Sequence, residues 1–160
     1  MKKAAIFASH ALMAMIVIMV VGGLICVIVN SWMGKSKNPW VDVPYSPFLW
    51  GLAFVAGWLV NHVLPTESAK WVWVVGVAWL LLFATSDISA YNPRWCQGCS
   101  IQQHIWYSYF SYWKCSQECL GQLLGTAPML NSVAYSIGAT VALKFGHGFA
   151  LKHGTPPHAL

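Results

Sequence analysis

The chain has 160 residues, of which 58% are hydrophobic, 14% aromatic and only 8% charged, against roughly 45–50% apolar and about 25% charged in ordinary soluble domains. That balance excludes a disordered chain, a collagen with glycine at every third position, and a nucleic-acid binder with clustered Lys and Arg. The formal charge of +5 comes from nine basic and four acidic residues, so it reflects scarce acids rather than a basic patch, and the composition points to an integral membrane protein.

Crossing a hydrocarbon core about 30 Å thick, at about 1.5 Å per helical residue, takes about 20 mostly apolar residues. The first stretch of that kind runs from about Ala4 to Val29 without a charge. It is far longer than the apolar core of a cleaved signal peptide, roughly 7–15 residues, so it is read as a retained anchor helix. The second runs from about Pro47 to Leu64, with Pro47 where a first-turn proline is tolerated and Pro65 where a helix stops. The third runs from Trp71 to about Ala90, with Asp87 near its far end and the Asn92-Pro93 turn signal beyond it. The fourth is less plain, because Gln122, Pro128 and Asn131 interrupt the apolar stretch from Leu120 to Leu143. Proline is nearly free in a first turn and costs about 3 kcal/mol in a helix interior, so the span is set to begin between Thr126 and Pro128 and to end at Phe145. Residues Cys115 to Leu124 then form a separate short interfacial helix.

The expected fold is therefore an all-α membrane protein. It is a four-helix transmembrane bundle with spans at about 4–29, 47–64, 71–90 and 126–145, a cysteine-containing, aromatic-rich interfacial loop at 91–122, and a short polar tail at 146–160. Four spans place both termini on one side with Lys2, Lys3, Lys70, Lys144 and Lys152, opposite Lys35, Lys37, Arg94 and Lys114. The excess of basic residues in cytoplasmic loops favours cytoplasmic termini, in a protein of the cell (inner) membrane. Trp32, Trp40, Tyr45 and Trp50, with Tyr91, Trp95 and the run Trp106 to Trp113, mark one membrane surface. Trp71 and Trp73 mark the other.

The loop from Arg94 to Leu120 holds four of the five cysteines, spaced C-x2-C, fifteen residues, then C-x3-C. In an oxidising compartment an even cysteine count in a short exposed segment reads as two disulfides. Cys96 and Cys99 share one helical face and Cys115 and Cys119 another. An antiparallel hairpin would then pair Cys96 with Cys119 and Cys99 with Cys115, one of three possible connectivities. Two other chemistries suit the same residues. Four thiolates of Cys96, Cys99, Cys115 and Cys119 match a zinc site if the loop is cytoplasmic and reduced, although the second pair has one residue more than zinc-ribbon spacing. The CxxC and CxxxC pairs also suit a membrane thiol-disulfide oxidoreductase drawing on quinone. Four spans with two cysteine pairs resemble the quinone-linked disulfide-forming enzymes and the vitamin K epoxide reductase family. Those families divide their cysteine pairs between loops, whereas here one loop holds all four, so no family residue is carried over. Ile105, Trp106, Tyr109, Phe110 and Trp113, between the pairs, are read as an interfacial belt.

His10, His62 and His147 fall on one side of the bundle, each near a helix end where water and headgroups can satisfy an imidazole; His104, His153 and His158 follow no ligand spacing. Asp87 is read as a cap or as the partner of Arg94. In the fourth helix, small residues recur at four-residue spacing in Ser132 with Ser136, Ala134 with Gly138 and Gly138 with Ala142, and Ala53 with Gly57 repeats the pattern in the second. Such spacing lets backbones approach closely. Asn131 and Tyr135 add groups that are costly against lipid, so the fourth helix is expected to be central. No nucleotide, hydrolase or zincin motif is present. The expected role is structural: an accessory or scaffold subunit rather than an enzyme, without a cofactor. Its expected partners are the lipid bilayer and either further copies of itself or a larger membrane complex.

Overall fold

The computed structural model describes residues 2–32, 45–92, 98, 100–110 and 122–152. Cys96, Cys99, Cys115, Cys119 and Arg94 lie outside the described residues, as do the rest of 93–97 and of 111–121. Among the described residues the fold is all helix and turn, with no strand.

Helices α1 (Lys2–Leu12) and α2 (Ile18–Trp32) are joined by a wide π turn, Met13–Val17. An uninterrupted α-helix was the expectation for this stretch. The π turn carries an extra residue per turn and so rotates every later side chain about the axis. Helix α3 (Tyr45–Val63) carries Pro47 in its first turn. A tight turn and a 3₁₀ segment (Glu67–Trp71) connect it to α4 (Val72–Ser89). There Asn61 Oδ1 accepts from the Thr66 backbone N–H at 2.9 Å, and Thr66 Oγ1 caps the 3₁₀ segment by accepting from Ser68 N at 3.3 Å. The short α5 (Ile101–Ile105) runs into a second π turn, Trp106–Phe110, and a third, Gln122–Thr126, leads into α6 (Ala127–Lys152). Pro128 sits in the first turn of α6, where a missing N–H costs little.

Among the described residues two helices are long and apolar enough to cross a membrane, Lys2–Val29 and Glu67–Ser89, while the apolar Pro47–Val63 is shorter. The packing partners give the helix directions. Gly57 lies against Tyr135, and one turn on in both helices Asn61 Nδ2 donates to the Ala139 carbonyl at 2.8 Å, so α3 and α6 are parallel. Against α4 the numbers run oppositely. The Trp73 N–H donates to Ser136 Oγ at 3.0 Å, Gly76 faces Ser132, and Trp79 Nε1 donates to the Leu124 carbonyl. His10 with Tyr135 and Met19 with Asn131 likewise make α1 and α2 antiparallel to α6. Successive long helices therefore alternate in direction, with the most extensive packing between α3 and α6.

Small residues make this packing possible. A Cβ on Gly57 would run into the Tyr135 carbonyl, one on Gly138 into the backbone of Phe54 and Trp58, and one on Gly76 into Ser132. Ala53 and Ala142 are buried beside them, and Ala134 packs on the core formed by Ala14, Ile18, Leu49, Ala53, Val72 and Tyr135. Polar side chains are buried beside the apolar core, while one face of the first helical segment is apolar and exposed. His10, Asn61, Asn131, Ser132 and Ser136 are buried, whereas Leu12, Ile16, Val20, Leu24 and Ile28, one helical turn apart, are each more than half exposed.

Candidate functional site

Among the described residues, two clusters of polar side chains lie within the fold. The first surrounds α6 near the α3–α4 turn. His10 Nδ1 and the Tyr135 hydroxyl are 2.8 Å apart, with the rings edge to face, and both residues are essentially inaccessible. The expectation that His10 is satisfied by water or headgroups is therefore corrected, because Tyr135, reaching across from α6, draws it inward. Asn61 and Ser136 complete the set, each bonding the backbone of a neighbouring helix. His62 points outward and stacks on Trp58, and the side chain of His147 lies outside what is described.

The second cluster is at the far end of α4. Local sequence explains how it is aimed. Gly98, between Cys96 and Cys99, adopts φ 89°, a left-handed conformation that glycine takes without strain. Ser100 then caps α5 reciprocally, its Oγ accepting from Gln103 N at 3.3 Å while Gln103 Oε1 accepts from Ser100 N at 2.9 Å. His104, the next residue, turns toward α4. Its Nε2 lies 3.0 Å from Asp87 Oδ2, and the Tyr109 hydroxyl donates to the same oxygen at 3.0 Å. Ser108 Oγ lies 3.4 Å from His104 Nδ1, and Tyr91 flanks the imidazole at 5.1 Å between centroids.

Asp87 thus meets His104 and Tyr109, which sequence reasoning did not connect to it. Burial chiefly, and then the hydrogen bond and charge of Asp87, hold the Tyr109 phenol above its ordinary pKa range. Tyr109 was expected in an interfacial aromatic belt. It is 4% exposed instead, packed edge to face on Phe83 and against Gly125, and its carbonyl accepts from Thr126 Oγ1 at 3.3 Å. Trp106, by contrast, is 60% exposed. The reason is the π turn, which changes the face on which each residue after Ile105 emerges.

The order Asp87, His104, Ser108 has the connectivity of a hydrolase relay. Its geometry suits a clamp better. Ser108 is 2% exposed, comes from the turn next to His104, and lies 3.4 Å from its Nδ1, at the long limit of a hydrogen bond. Asp87 and His104 supply two possible metal donors, and no group of three or more His, Cys, Asp or Glu forms among the described residues. The arrangement ties together the end of α4, the Trp106–Phe110 turn and the Gln122–Thr126 turn. Those two turns flank residues 111–121, which contain Cys115 and Cys119, and Gly98 lies between the other two cysteines. Comparison with protein families, with characterised proteins and with solved structures finds no match to this chain.

Proposed function

We propose that this chain is a four-span integral membrane protein that acts as an accessory or scaffold subunit, holding its cysteine-bearing segment at one membrane surface. The observation that carries this reading is the exposed apolar surface. A helix that forms the core of a soluble protein is mostly buried, yet the windows that qualify as spans in Lys2–Val29 and Glu67–Ser89 are only 18% and 11% buried. Contiguous apolar surface on that scale calls for lipid or a partner, and the interior hydrogen bonds between helices replace those that water would supply. α3 and α6, parallel to each other and opposed to their neighbours, supply the second and fourth spans.

A scaffold fits better than an enzyme because the polar side chains of both clusters join one helical element to another. His10, Asn61, Ser136, Asp87, His104 and Tyr109 each contact another element, and Asp87 holds His104 and Tyr109, which lie between the two cysteine pairs. With that segment outside the cytoplasm, Cys96–Cys119 and Cys99–Cys115 disulfides would staple it, and the termini would be cytoplasmic. The test is labelling of intact cells with a membrane-impermeant maleimide, with and without reductant, followed by peptide mapping and co-purification. Labelling of all four cysteines only after external reduction, together with a co-purifying membrane partner, is the expected result. Labelling only after lysis contradicts it in favour of a cytoplasmic zinc site, and a thiol population that follows quinone supply contradicts it in favour of an oxidoreductase.

A further inference from the structure

An apolar groove of about 900 Å³ runs along the first helical segment, walled by Phe7, Met15 and Val27 on one side and by Val75, Trp79 and Pro128 on the other. That volume is at the upper end of small-molecule pockets, roughly 300–1,000 Å³. From Phe7 to Val27 the helix rises about 30 Å, the thickness of a hydrocarbon core. One wall of the groove thus runs the length of a hydrocarbon core, and the whole lining is as apolar as a hydrocarbon chain. It also passes both the Met13–Val17 and the Gln122–Thr126 π turns, wide turns of a kind frequent at functional sites.

The lining itself carries no charge, and basic residues lie beyond its Phe7 end. Lys3 lies one turn below Phe7 on the same face of α1, and Trp71 one turn below Val75 at the start of α4. α1 packs against the Glu67–Trp71 segment, which brings Lys70 to the same end. Lys2, Lys3, Lys70 and Trp71 are all exposed, as is the acid Glu67 in the same segment as Lys70, and the rings of Trp71 and Trp73 lie 6.4 Å apart. Basic residues between helix ends, above an apolar groove, recognise an anionic headgroup whose acyl chain lies below it.

We propose that the groove is a binding site for one anionic phospholipid, its acyl chain along Phe7 to Val27 and its phosphate at Lys3 and Lys70. The inference rests on the membrane-spanning reading above and assigns that protein a particular lipid.

The full-length protein is placed in nanodiscs of equal phosphatidylglycerol and phosphatidylcholine, extracted in mild detergent, and examined by native mass spectrometry. The wild type retains one phosphatidylglycerol per chain in preference to phosphatidylcholine. Lys3→Gln and Lys70→Gln each reduce that preference by about fivefold, and Ala8→Trp, which fills the groove wall, abolishes retention while leaving the helical circular dichroism unchanged. Equal retention of the two lipids overturns the proposal, as does a preference that survives both lysine changes. Retention by a folded Ala8→Trp, or a lipid-free dimer cross-linked through the groove, also overturns it, the latter in favour of a second copy. Alkaline carbonate extraction of the cell membranes in which the protein is produced separates the two levels. A chain that washes off refutes the membrane reading itself, whereas one that stays and shows no lipid preference refutes only the lipid site.

Discussion

Replacing Gly138 with alanine should destabilise the protein by about 2–4 kcal/mol, although alanine is the better helix former. An added Cβ would lie 2.9 Å from the Phe54 carbonyl carbon, 3.1 Å from Trp58 N and closer still to the Phe54 oxygen, where ordinary contact begins at 3.4 Å. All three atoms belong to the backbone of α3 and cannot rotate away, so the helices must separate. Overpacking of that kind costs about 1–3 kcal/mol. Separation also stretches the Asn61–Ala139 bond one turn along, and such interhelical bonds contribute about 0.6 kcal/mol on average in membranes. Two other glycines calibrate the effect. At Gly22 the obstruction is the tip of the Leu49 side chain, which can turn, so alanine there should cost about 1 kcal/mol. Gly51 has nothing within 4 Å, and alanine there should gain about 0.5–1 kcal/mol from helix propensity. Unfolding in mixed micelles by sodium dodecyl sulfate titration, followed by circular dichroism, gives the three values on one scale. Equal stability of Gly138→Ala and Gly51→Ala would refute the close packing of α3 against α6.

Other changes probe the polar groups. Asp87→Ala should cost about 1.5–3 kcal/mol, the range for hydrogen bonds to a charged group, and should expose the Tyr109 ring to fluorescence quenchers; an unquenched ring would contradict the clamp. Because burial and Asp87 raise the Tyr109 pKa in the folded state, the unfolded chain releases this proton first, from about pH 10. Stability should then fall as pH rises above that value, and Tyr109→Phe should make the fall shallower in alkaline denaturation curves. Asn131 Oδ1 is buried without a partner among the described residues, and its Nδ2 meets only the weak acceptor Met19 Sδ at 3.1 Å. Asn131→Leu should therefore be neutral or stabilising by about 1 kcal/mol, and a marked loss in the same titration would reveal a further partner.

Some of this could be read from the sequence and some could not, for identifiable reasons. Helix existence follows from long apolar runs, and Pro47, Pro65 and Pro128 mark ends because proline obeys the same steric rule everywhere. The four-residue spacing of Ala53 with Gly57 and of Ala134 with Gly138 is visible too, since close approach of backbones requires small side chains. Which atoms those glycines meet is not, because the pairing depends on crossing angle. The π turns escape detection because Met13–Val17 and Trp106–Phe110 carry no proline or glycine. Missing the second of them put Tyr109 on a belt rather than under Asp87. The Asp87–His104 pair joins residues with no periodic relation, and the Ser100–Gln103 capping box that starts the helix carrying His104 does not say which element that helix packs on. His10 looked solvated by its nearness to a helix start, a rule that does not anticipate a tyrosine reaching in from another helix.

The central claim is that each of the four long helical segments crosses the membrane. In a background with the native cysteines replaced by serine, Lys3→Cys, Glu67→Cys, Asn92→Cys and Lys144→Cys are labelled one at a time with an impermeant maleimide, before and after lysis. The account predicts that positions 3, 67 and 144 react from one side and position 92 from the other. Position 144 reacting with position 92, or position 67 reacting opposite position 3, would contradict it.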